Sequence, residues 1–469
     1  MRRRRNAGDR RNCRRRTITS FAMPSATRKR VLALALPLAL SACATPAPQA
    51  LARSGAPADS SALRTLVLMM DGVPYDLVDS LWRAGHFRGF QPPSRLVSAF
   101  PSLTGVAFRG IWQELPTPGY EDRYFDPGEN RLRGGLLEHL FRSEQESTFH
   151  RFVEVQPSRL AVSLAYLLPG PLARAELRRL REETDRRAAY DSTIVAYLVS
   201  TDALAHRGGR DELATFLVEV DAMLAEIRAR HGAGLRIVMF SDHGNDLVPT
   251  RRVPLDEALD AAGFRSASRI ESERDVVVPR FGLVGSSFLY ALPAAEPRIA
   301  EALLGVEGVD LVVFADELGR VHVWNTRGRA LVEATPDRSA YRYRMIQGDP
   351  LGFAPVLERL HARAEVDSNG FAPDSAWFRE TLPTPYVDAP RRILQAVGTA
   401  VRYPANVIVS YEPGFHYGNA AADLVVPING THGSLRTSSS IAFFMSTHVA
   451  TPPALRGEEL QRYLRLPAR

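Results

Sequence analysis

Three apolar runs that each end on an aspartate constrain the fold of this chain most strongly. They are TLVLMMDG (65–72), IVAYLVSTD (194–202) and LRIVMFSDHG (235–244). Because their apolar residues are continuous rather than alternating, each run is typical of a strand buried on both faces. Polar groups at the carboxyl ends of such strands line the crevice where α/β proteins bind ligands. The runs therefore predict an α/β fold with a central, mostly parallel sheet covered by helices on both faces. The alternative for each aspartate is a cap on the following helix.

The segment between the second and third runs predicts a helix over residues 211–230. Six apolar residues fall on one face of this helix: Leu213, Phe216, Leu217, Val220, Leu224 and Ile227. Acidic residues in its first turn and arginines in its last turn suit the helix dipole. A strand, a helix and a second strand in this order predict a right-handed parallel crossover.

The remaining patterns divide the chain into regions. We predict a core formed by residues 65–250 and 405–469, and a small α+β insertion over residues 251–404 that contains a hairpin around Glu317-Leu318-Gly319. Three later runs are predicted to return to the main sheet, at residues 406–413, 422–435 and 440–446.

The N-terminal residues have the form of an export signal. Arg28-Lys29-Arg30 precedes an apolar stretch over 31–40, which is too short to span a bilayer but typical of a signal h-region. The following Leu40-Ser41-Ala42-Cys43 resembles the lipobox of bacterial lipoproteins. That resemblance implies that residues 1–43 are a leader and lipoprotein signal and that Cys43 is lipidated. A plain secretory signal is the alternative.

Further expectations follow from this leader. Residues 44–64, rich in Ala, Pro and Ser, predict a flexible tether. The resemblance implies a lipid-anchored protein of the bacterial cell envelope. Ala44, where an inner-membrane retention signal has Asp, favours the outer membrane with the protein facing the periplasm. Met23 is an alternative start to Met1.

Charge and cysteine content exclude other classes. Residues 1–30 hold twelve Arg or Lys and one Asp, a charge of +11, so the rest of the chain carries −4 of the total of +7. No nucleic-acid-binding stripe is therefore evident. Cys13 and Cys43 are the only cysteines. A metal site in the core must then use histidines and carboxylates.

Six such residues follow the predicted strands or lie in turns flanked by glycine. They are Asp71, Asp202, His206, Asp242, His243 and His432. Carboxylate and imidazole ligands suit Zn²⁺ or a similar divalent cation. Six ligands are too many for one tetrahedral ion and suit two.

A candidate nucleophile lies in FPSLTG (100–105), between a strand-like and a helix-like segment. Thr104 would begin the helix, where free N–H groups favour an anion. A hydroxyl activated by a metal at such a place can attack phosphorus. The alternative is that Thr104 only caps the helix.

The order of these motifs resembles the alkaline phosphatase superfamily, especially its type I phosphodiesterase/nucleotide pyrophosphatase branch. The order is strand-DG, P-S-L-T, D-x-x-x-H, D-H-G and G-x-H-G, and it spans residues 65 to about 447. The resemblance implies hydrolysis of phosphate esters through a phospho-threonine intermediate on Thr104, with two divalent metal ions, zinc being the expected metal. It implies one metal bound by Asp71, Thr104, Asp242 and His243, and another bound by Asp202, His206 and His432.

The chain also departs from that branch. Its nucleophile motif continues as TGVAFRGIW rather than F-P-N-H, so nucleotide specificity is not implied, and the C/S-x-P-x-R motif of sulfatases is absent. Asn245, Asn429 and Arg109 are candidate phosphate contacts, the alternatives being turn residues and a surface arginine. His416 in GFHYGN is ambiguous in the same way.

The sequence thus predicts an envelope-anchored, metal-dependent phosphodiesterase or phosphatase that acts on a small-molecule phosphate ester. One alternative is a phosphoryl or phospho-alcohol transferase, because an alcohol could also open the phospho-threonine. The other is a non-catalytic, metal-stabilised envelope protein.

Overall fold

The computed structural model of the chain describes residues 63–135, 149–420 and 428–464. The predicted leader with Cys43 and nearly all of the predicted tether lie outside the described residues. Within the described ranges, every helix is too short or too polar to cross a bilayer.

The elements are numbered in chain order. The helices are α1 (Tyr75–Ala84), α2 (Thr104–Trp112), α3 (Arg159–Ala165), α4 (Pro169–Arg187), α5 (Ser200–His231), α6 (Leu255–Ala261), α7 (Glu296–Leu303), α8 (Ala354–Ala362), α9 (Asp374–Thr381), α10 (Ala389–Gly398), α11 (Thr437–Ser440) and α12 (Gln461–Leu464). The first ten strands are β1 (Thr65–Met70), β2 (Ser94–Val97), β3 (Arg123–Asp126), β4 (Arg131–Gly134), β5 (Thr193–Leu198), β6 (Arg236–Ser241), β7 (Arg251–Arg252), β8 (Arg265–Ser266), β9 (Asp275–Val276) and β10 (Leu283–Val284). The others are β11 (Ser286–Leu289), β12 (Val309–Ala315), β13 (Val321–Asn325), β14 (Gly328–Ala334), β15 (Ala340–Gly348), β16 (Ala372–Pro373), β17 (Val407–Tyr411), β18 (Phe415–Gly418), β19 (Ile441–Ser446) and β20 (Ala454–Arg456).

The central sheet has the strand order β20-β2-β19-β6-β1-β5. The three apolar runs form β1, β5 and β6, and β1 pairs in parallel with both of the others. Only β19 runs antiparallel to its neighbours in this sheet. The predicted α/β fold with a central, mostly parallel sheet is confirmed.

Strand β1 shows why the runs are continuously apolar. Leu66, Leu68 and Met70 pack in the same cluster as residues of α1 and α5. Val67 and Met69 point to the other face and pack with residues of α2. Helices therefore cover both faces of the sheet, as predicted, so successive residues of the strand are all buried.

Helix α5 begins earlier than predicted. The predicted segment 211–230 is helical, and its six apolar residues are all buried. The preceding residues 200–208 are helical too, with a break at Gly209 (φ 68°), although the second run was predicted to continue as a strand to Asp202. Asp202 and His206 therefore lie one helical turn apart, which brings their side chains to the same face.

A second sheet has seven strands in the order β11-β17-β12-β13-β14-β15-β16. The predicted hairpin is confirmed, because β12 and β13 pair antiparallel across residues 316–320. Our assignment of residues 406–413 to the main sheet was wrong, since β17 pairs with β11 and β12. Its side chains are buried on both faces of the second sheet, so its apolar run resembles those of the main sheet. The second sheet therefore includes a strand beyond residue 404, the predicted end of the insertion.

The other two late runs differ from each other. Residues 440–446 provide β19, which lies between β6 and β2 in the main sheet as predicted. Residues 421–427 lie outside the described residues, and residues 428–435 form a loop rather than a strand.

Candidate active site

The ends of β1 and β6 bring three ionisable side chains together. Asp71 follows β1, and Asp242 and His243 follow β6, its hydrogen-bonded neighbour. His243 Nε2 lies 3.4 Å from Asp71 Oδ1 and 3.4 Å from Asp242 Oδ2. We call these three residues the first cluster. Its ligand-type atoms all lie within 4.8 Å of one another, close enough to share one cation.

The second cluster consists of Asp202, His206 and His432. Asp202 and His206 lie in the first two turns of α5, with His206 Nε2 3.3 Å from Asp202 Oδ2. His432 comes from the loop before α11, and its Nε2 lies 3.6 Å from Asp202 Oδ1. These atoms also lie within 4.8 Å of one another.

The two clusters adjoin. The rings of His243 and His432 are stacked, with centroids 3.9 Å apart. Gly72 lies at the junction with φ +65°, and a Cβ at this position would lie 2.5 Å from Asp202 Oδ1. Only glycine fits there, because a side chain would be strained and would displace the carboxylate.

Backbone carbonyls orient two of the histidines. His243 Nδ1 lies 2.9 Å from Gly244 O, and His432 Nδ1 lies 2.9 Å from Ser102 O. Since a carbonyl can only accept, each Nδ1–H donates. This leaves the Nε2 of each imidazole directed at its cluster, which is the arrangement of metal-binding histidines.

Charge in the clusters is poorly compensated by protein groups alone. All six side chains are buried, and Asp202 Oδ1 and Asp242 Oδ2 accept no hydrogen bond from the described residues. Burial raises the pKa of Asp71, and burial raises the pKa of Asp242 to about 8. Burial opposes ionisation of Asp202 as well, but attraction to His206 and His432 holds its pKa below the usual value. Buried carboxylates of this kind are stable when a cation compensates them.

The donor set therefore fits two divalent cations, one in each cluster. Each cluster offers carboxylate oxygen and imidazole nitrogen, the ligands that zinc and related divalent metals use. The two orphaned carboxylate oxygens are the observation that favours cations over a purely hydrogen-bonded network.

Thr104 lies against the first cluster as the first residue of α2. Its Oγ1 donates to Asp71 Oδ1 at 3.2 Å and lies 3.3 Å from His243 Nε2. Leu103, not Thr104, is the N-cap, and no side chain caps this helix, so the capping alternative for Thr104 is wrong. Thr104 is half-buried, whereas the six cluster residues are buried. Its hydroxyl can therefore meet a solute, next to the helix N–H groups that favour an anion.

Ser102 ties the Thr104 loop to the His432 loop. Its hydroxyl donates to Ser434 O at 3.1 Å and accepts from Gly433 N at 3.2 Å, and its carbonyl accepts from His432. The position of the hydroxyl of Thr104 is thereby linked to the imidazole of the second cluster.

Sequence reasoning missed two tyrosines of the site. The hydroxyl of Tyr197, on β5, donates to Asp71 Oδ2. The hydroxyl of Tyr166, just after α3, donates to Asp202 Oδ2 at 2.6 Å. A tyrosine in the otherwise aliphatic run IVAYLV was the available signal for Tyr197, because a buried hydroxyl needs a partner.

Among the described residues, Thr104 forms its side-chain hydrogen bonds with Asp71 and His243 and none with the other candidate contacts. Asn245 is buried, and its Oδ1 accepts from Leu247 N. Asn429 donates its amide to Arg207 O at 2.6 Å. His416 is buried beside the hydroxyl of Thr250. Arg109, on α2, lines a cleft between α2 and α10 and donates to Glu114 O.

Known proteins were compared with the chain by sequence and by structure. No protein-family model and no curated protein matches it. Among solved structures, human ectonucleotide pyrophosphatase/phosphodiesterase 5 is similar, at 12% identity and a TM-score of 0.47 over 86% of this chain and 93% of that chain. Phosphonoacetate hydrolase from Sinorhizobium meliloti 1021, in complex with phosphonoformate, is also similar, at 13% identity and a TM-score of 0.46 over 86% of this chain and 95% of that one. Likenesses this distant assign no activity, so the function has to be argued from the side chains of the site.

Proposed function

We propose that this chain is a metal-dependent phosphoric ester hydrolase, a phosphodiesterase or phosphatase, in which Thr104 is the nucleophile. One observation carries the proposal. The Thr104 hydroxyl is half-buried at the start of a helix, within 3.3 Å of two side chains of the first cluster and linked through Ser102 to the second. A hydroxyl placed between a helix N-terminus and two cation sites suits phosphoryl transfer.

The residues of the site have different roles in the proposed reaction. The Thr104 hydroxyl proton leaves along the hydrogen bond to Asp71, and Oγ1 forms a bond to phosphorus while the ester oxygen of the alcohol departs. The N–H groups of the first turn of α2 stabilise the phosphoryl oxygens. Water then breaks the bond between Oγ1 and phosphorus and restores the threonine.

The first cluster together with Thr104, and the second cluster, would each hold one divalent cation. When bound, the cations compensate the buried carboxylates and supply Lewis acidity toward the phosphoryl group. Zinc is the metal that we propose.

The test is a comparison of chromogenic phosphate monoesters and diesters with purified protein that has been stripped by a chelator and reloaded with Zn²⁺ or Mn²⁺. A hydrolase releases the chromophore and free phosphate or a monoester only after reloading. Adding an alcohol acceptor separates the transferase alternative, since a transferase would convert substrate into a new ester. Absence of turnover in protein that holds both metals would support the non-catalytic alternative.

We also propose that the enzyme is anchored to the cell envelope through lipid on Cys43, because residues 28–43 have the form of a lipoprotein signal. A Cys43→Ser variant should move from the membrane fraction to the soluble fraction of a bacterial host. A variant that stays in the membrane fraction would exclude lipid anchoring.

A further inference from the structure

A second cleft is lined by residues of α2 and α10, together with Asp242 of the first cluster. Its volume is about 80 Å³. A water needs roughly 10–15 Å³ of such space, so the cleft has room for several waters or one small ion. Its ionisable lining comprises four arginines and three acidic residues: Arg109, Arg391, Arg392, Arg456, Asp242, Asp388 and Glu458.

Two of these arginines are already neutralised by carboxylates. Arg456 binds Asp374 and Asp388, with nitrogen–oxygen distances of 2.6 and 2.7 Å. Arg391 pairs with Asp374 and Glu458. Asp388 and Glu458 are thereby ion-paired within this network and form no direct ion pair with the other two arginines in the described structure.

The other two arginines have no carboxylate partner among the described residues. Arg392 is buried, and its terminal nitrogens donate to three carbonyls and to the hydroxyl of Ser440, while its Nε has no partner. Arg109 is half-buried and donates only its Nε, to Glu114 O. Burial lowers the pKa of both, that of Arg392 to about 10, and attraction to Glu458 for Arg109 and to Asp388 for Arg392 only partly offsets the loss of water.

Asp242 is the one carboxylate of the cleft lining without an arginine partner among the described residues, and it belongs to the first cluster. Its Oδ1 accepts from Gly72 N at 3.3 Å, and its Oδ2 lies 3.4 Å from His243 Nε2. The side-chain amide of Gln395 also lines the cleft and offers an uncharged donor.

We propose that this cleft is a binding site for a small tetrahedral oxyanion such as inorganic phosphate or sulfate, held by Arg109 with help from Gln395 and Arg392. Arg109 supplies the two terminal nitrogens of a guanidinium, which suit a bidentate contact to such an anion. Thr104 does not line the cleft, although Asp242 of the first cluster does, so occupancy there need not block the Thr104 hydroxyl.

Calorimetric titration of the metal-loaded protein with phosphate tests the proposal. Arg109→Met should bind one phosphate per chain fewer than the parent, or should bind that phosphate at least about tenfold more weakly. Gln395→Leu leaves every ion pair in place and should weaken the same binding several-fold. Sulfate should compete for this phosphate.

The matched control is Arg83→Met, which removes an exposed arginine of α1 with the same change of net charge. It should bind phosphate as the parent does. Unfolding midpoints establish that each variant is folded. If folded Arg109→Met and Gln395→Leu both keep the parent's stoichiometry and affinity, the cleft is not an oxyanion site. Equal weakening in Arg83→Met would also overturn the proposal, because net charge alone would then explain the effect.

Discussion

The two clusters hold the same kinds of side chain but are built differently. The first takes its ligands from the ends of β1 and β6, two hydrogen-bonded strands whose register pairs Met70 with Ser241. The second takes two ligands from one face of α5 and the third, His432, from a loop anchored to Ser102. The first cluster is thus fixed by the sheet itself, whereas the second depends on contacts between segments distant in sequence. We therefore expect a single substitution to abolish metal binding more easily in the second cluster than in the first.

The largest effect should come from the hydroxyl that lies against the first cluster. Thr104→Ala should lower turnover of a phosphodiester by about a thousandfold or more, because no other group can form the covalent bond. Metal content should stay at the parent's value, since three side chains of the first cluster remain. Thr104→Ser keeps the hydroxyl and should keep part of the activity. Steady-state rates and metal analysis check this, and a near-parental rate in Thr104→Ala would exclude the covalent route.

Replacing His432, the ligand from the loop, should affect the second cluster and leave the first intact. We expect His432→Ala to bind about one metal per chain where the parent binds two, with activity lower by roughly two orders of magnitude. The first cluster should stay filled because its strands are unaffected. His361→Ala on α8, an exposed histidine, is the control and should bind as the parent does. Unchanged stoichiometry in His432→Ala would contradict the two-site interpretation.

A smaller effect should follow from substitution of Gly72, which lies where the two clusters adjoin. Gly72→Ala would place a methyl group 2.5 Å from Asp202 Oδ1 in a left-handed backbone conformation. We expect a loss of stability of about 1–3 kcal/mol, together with weaker metal binding in the second cluster. Gly234→Ala, where no atom lies within 4 Å of the added Cβ, should have little effect. Equal unfolding midpoints for the two variants would show that the junction tolerates a side chain.

The smallest effect concerns a buried carboxylate outside both clusters. Burial raises the pKa of Glu121 to about 7, although its hydrogen bond from Gly282 N lowers it. Proton binding by folded Glu121 therefore stabilises the protein fully below about pH 4.5, and this contribution is lost as the pH rises through 7.

Glu121→Gln keeps an oxygen that accepts from Gly282 but cannot ionise. Relative to the parent, the variant should gain roughly 1 kcal/mol between pH 5 and pH 8, measured by urea unfolding. The exposed Glu273→Gln should show no such gain. A parent and a variant whose stabilities change in parallel with pH would show that Glu121 does not titrate differently in the folded protein.

The sequence predicted the central sheet better than the second sheet, for a physical reason. Runs such as 194–198 and 407–411 are both buried on two faces, so hydrophobicity marks each as a strand but does not say which sheet it joins. The histidines and aspartates were recognisable because ionisable groups after apolar runs are unusual. Tyr197 was not, because a tyrosine inside a strand resembles a core residue until its hydroxyl partner is known.

Only residues 211–230 of helix α5 were predicted, and the break at Gly209 lies just before them. The glycine does break the helix, but helical residues precede it, and this could not be read from residues 201–209 alone. The distances between the clusters could not be predicted from the sequence either, because they depend on how the loop of His432 returns to Ser102.

The position of β19 has a consequence for the newly made polypeptide. This strand lies between β6 and β2, so the central sheet is closed by residues 441–446, which follow every other strand of this sheet except β20. Until these residues leave the ribosome, β2 has neither of its partners, and the segment that leads to Thr104 has no neighbour in the sheet. Partly synthesised or C-terminally truncated chains should therefore be inactive and expose strand edges, which are prone to aggregation.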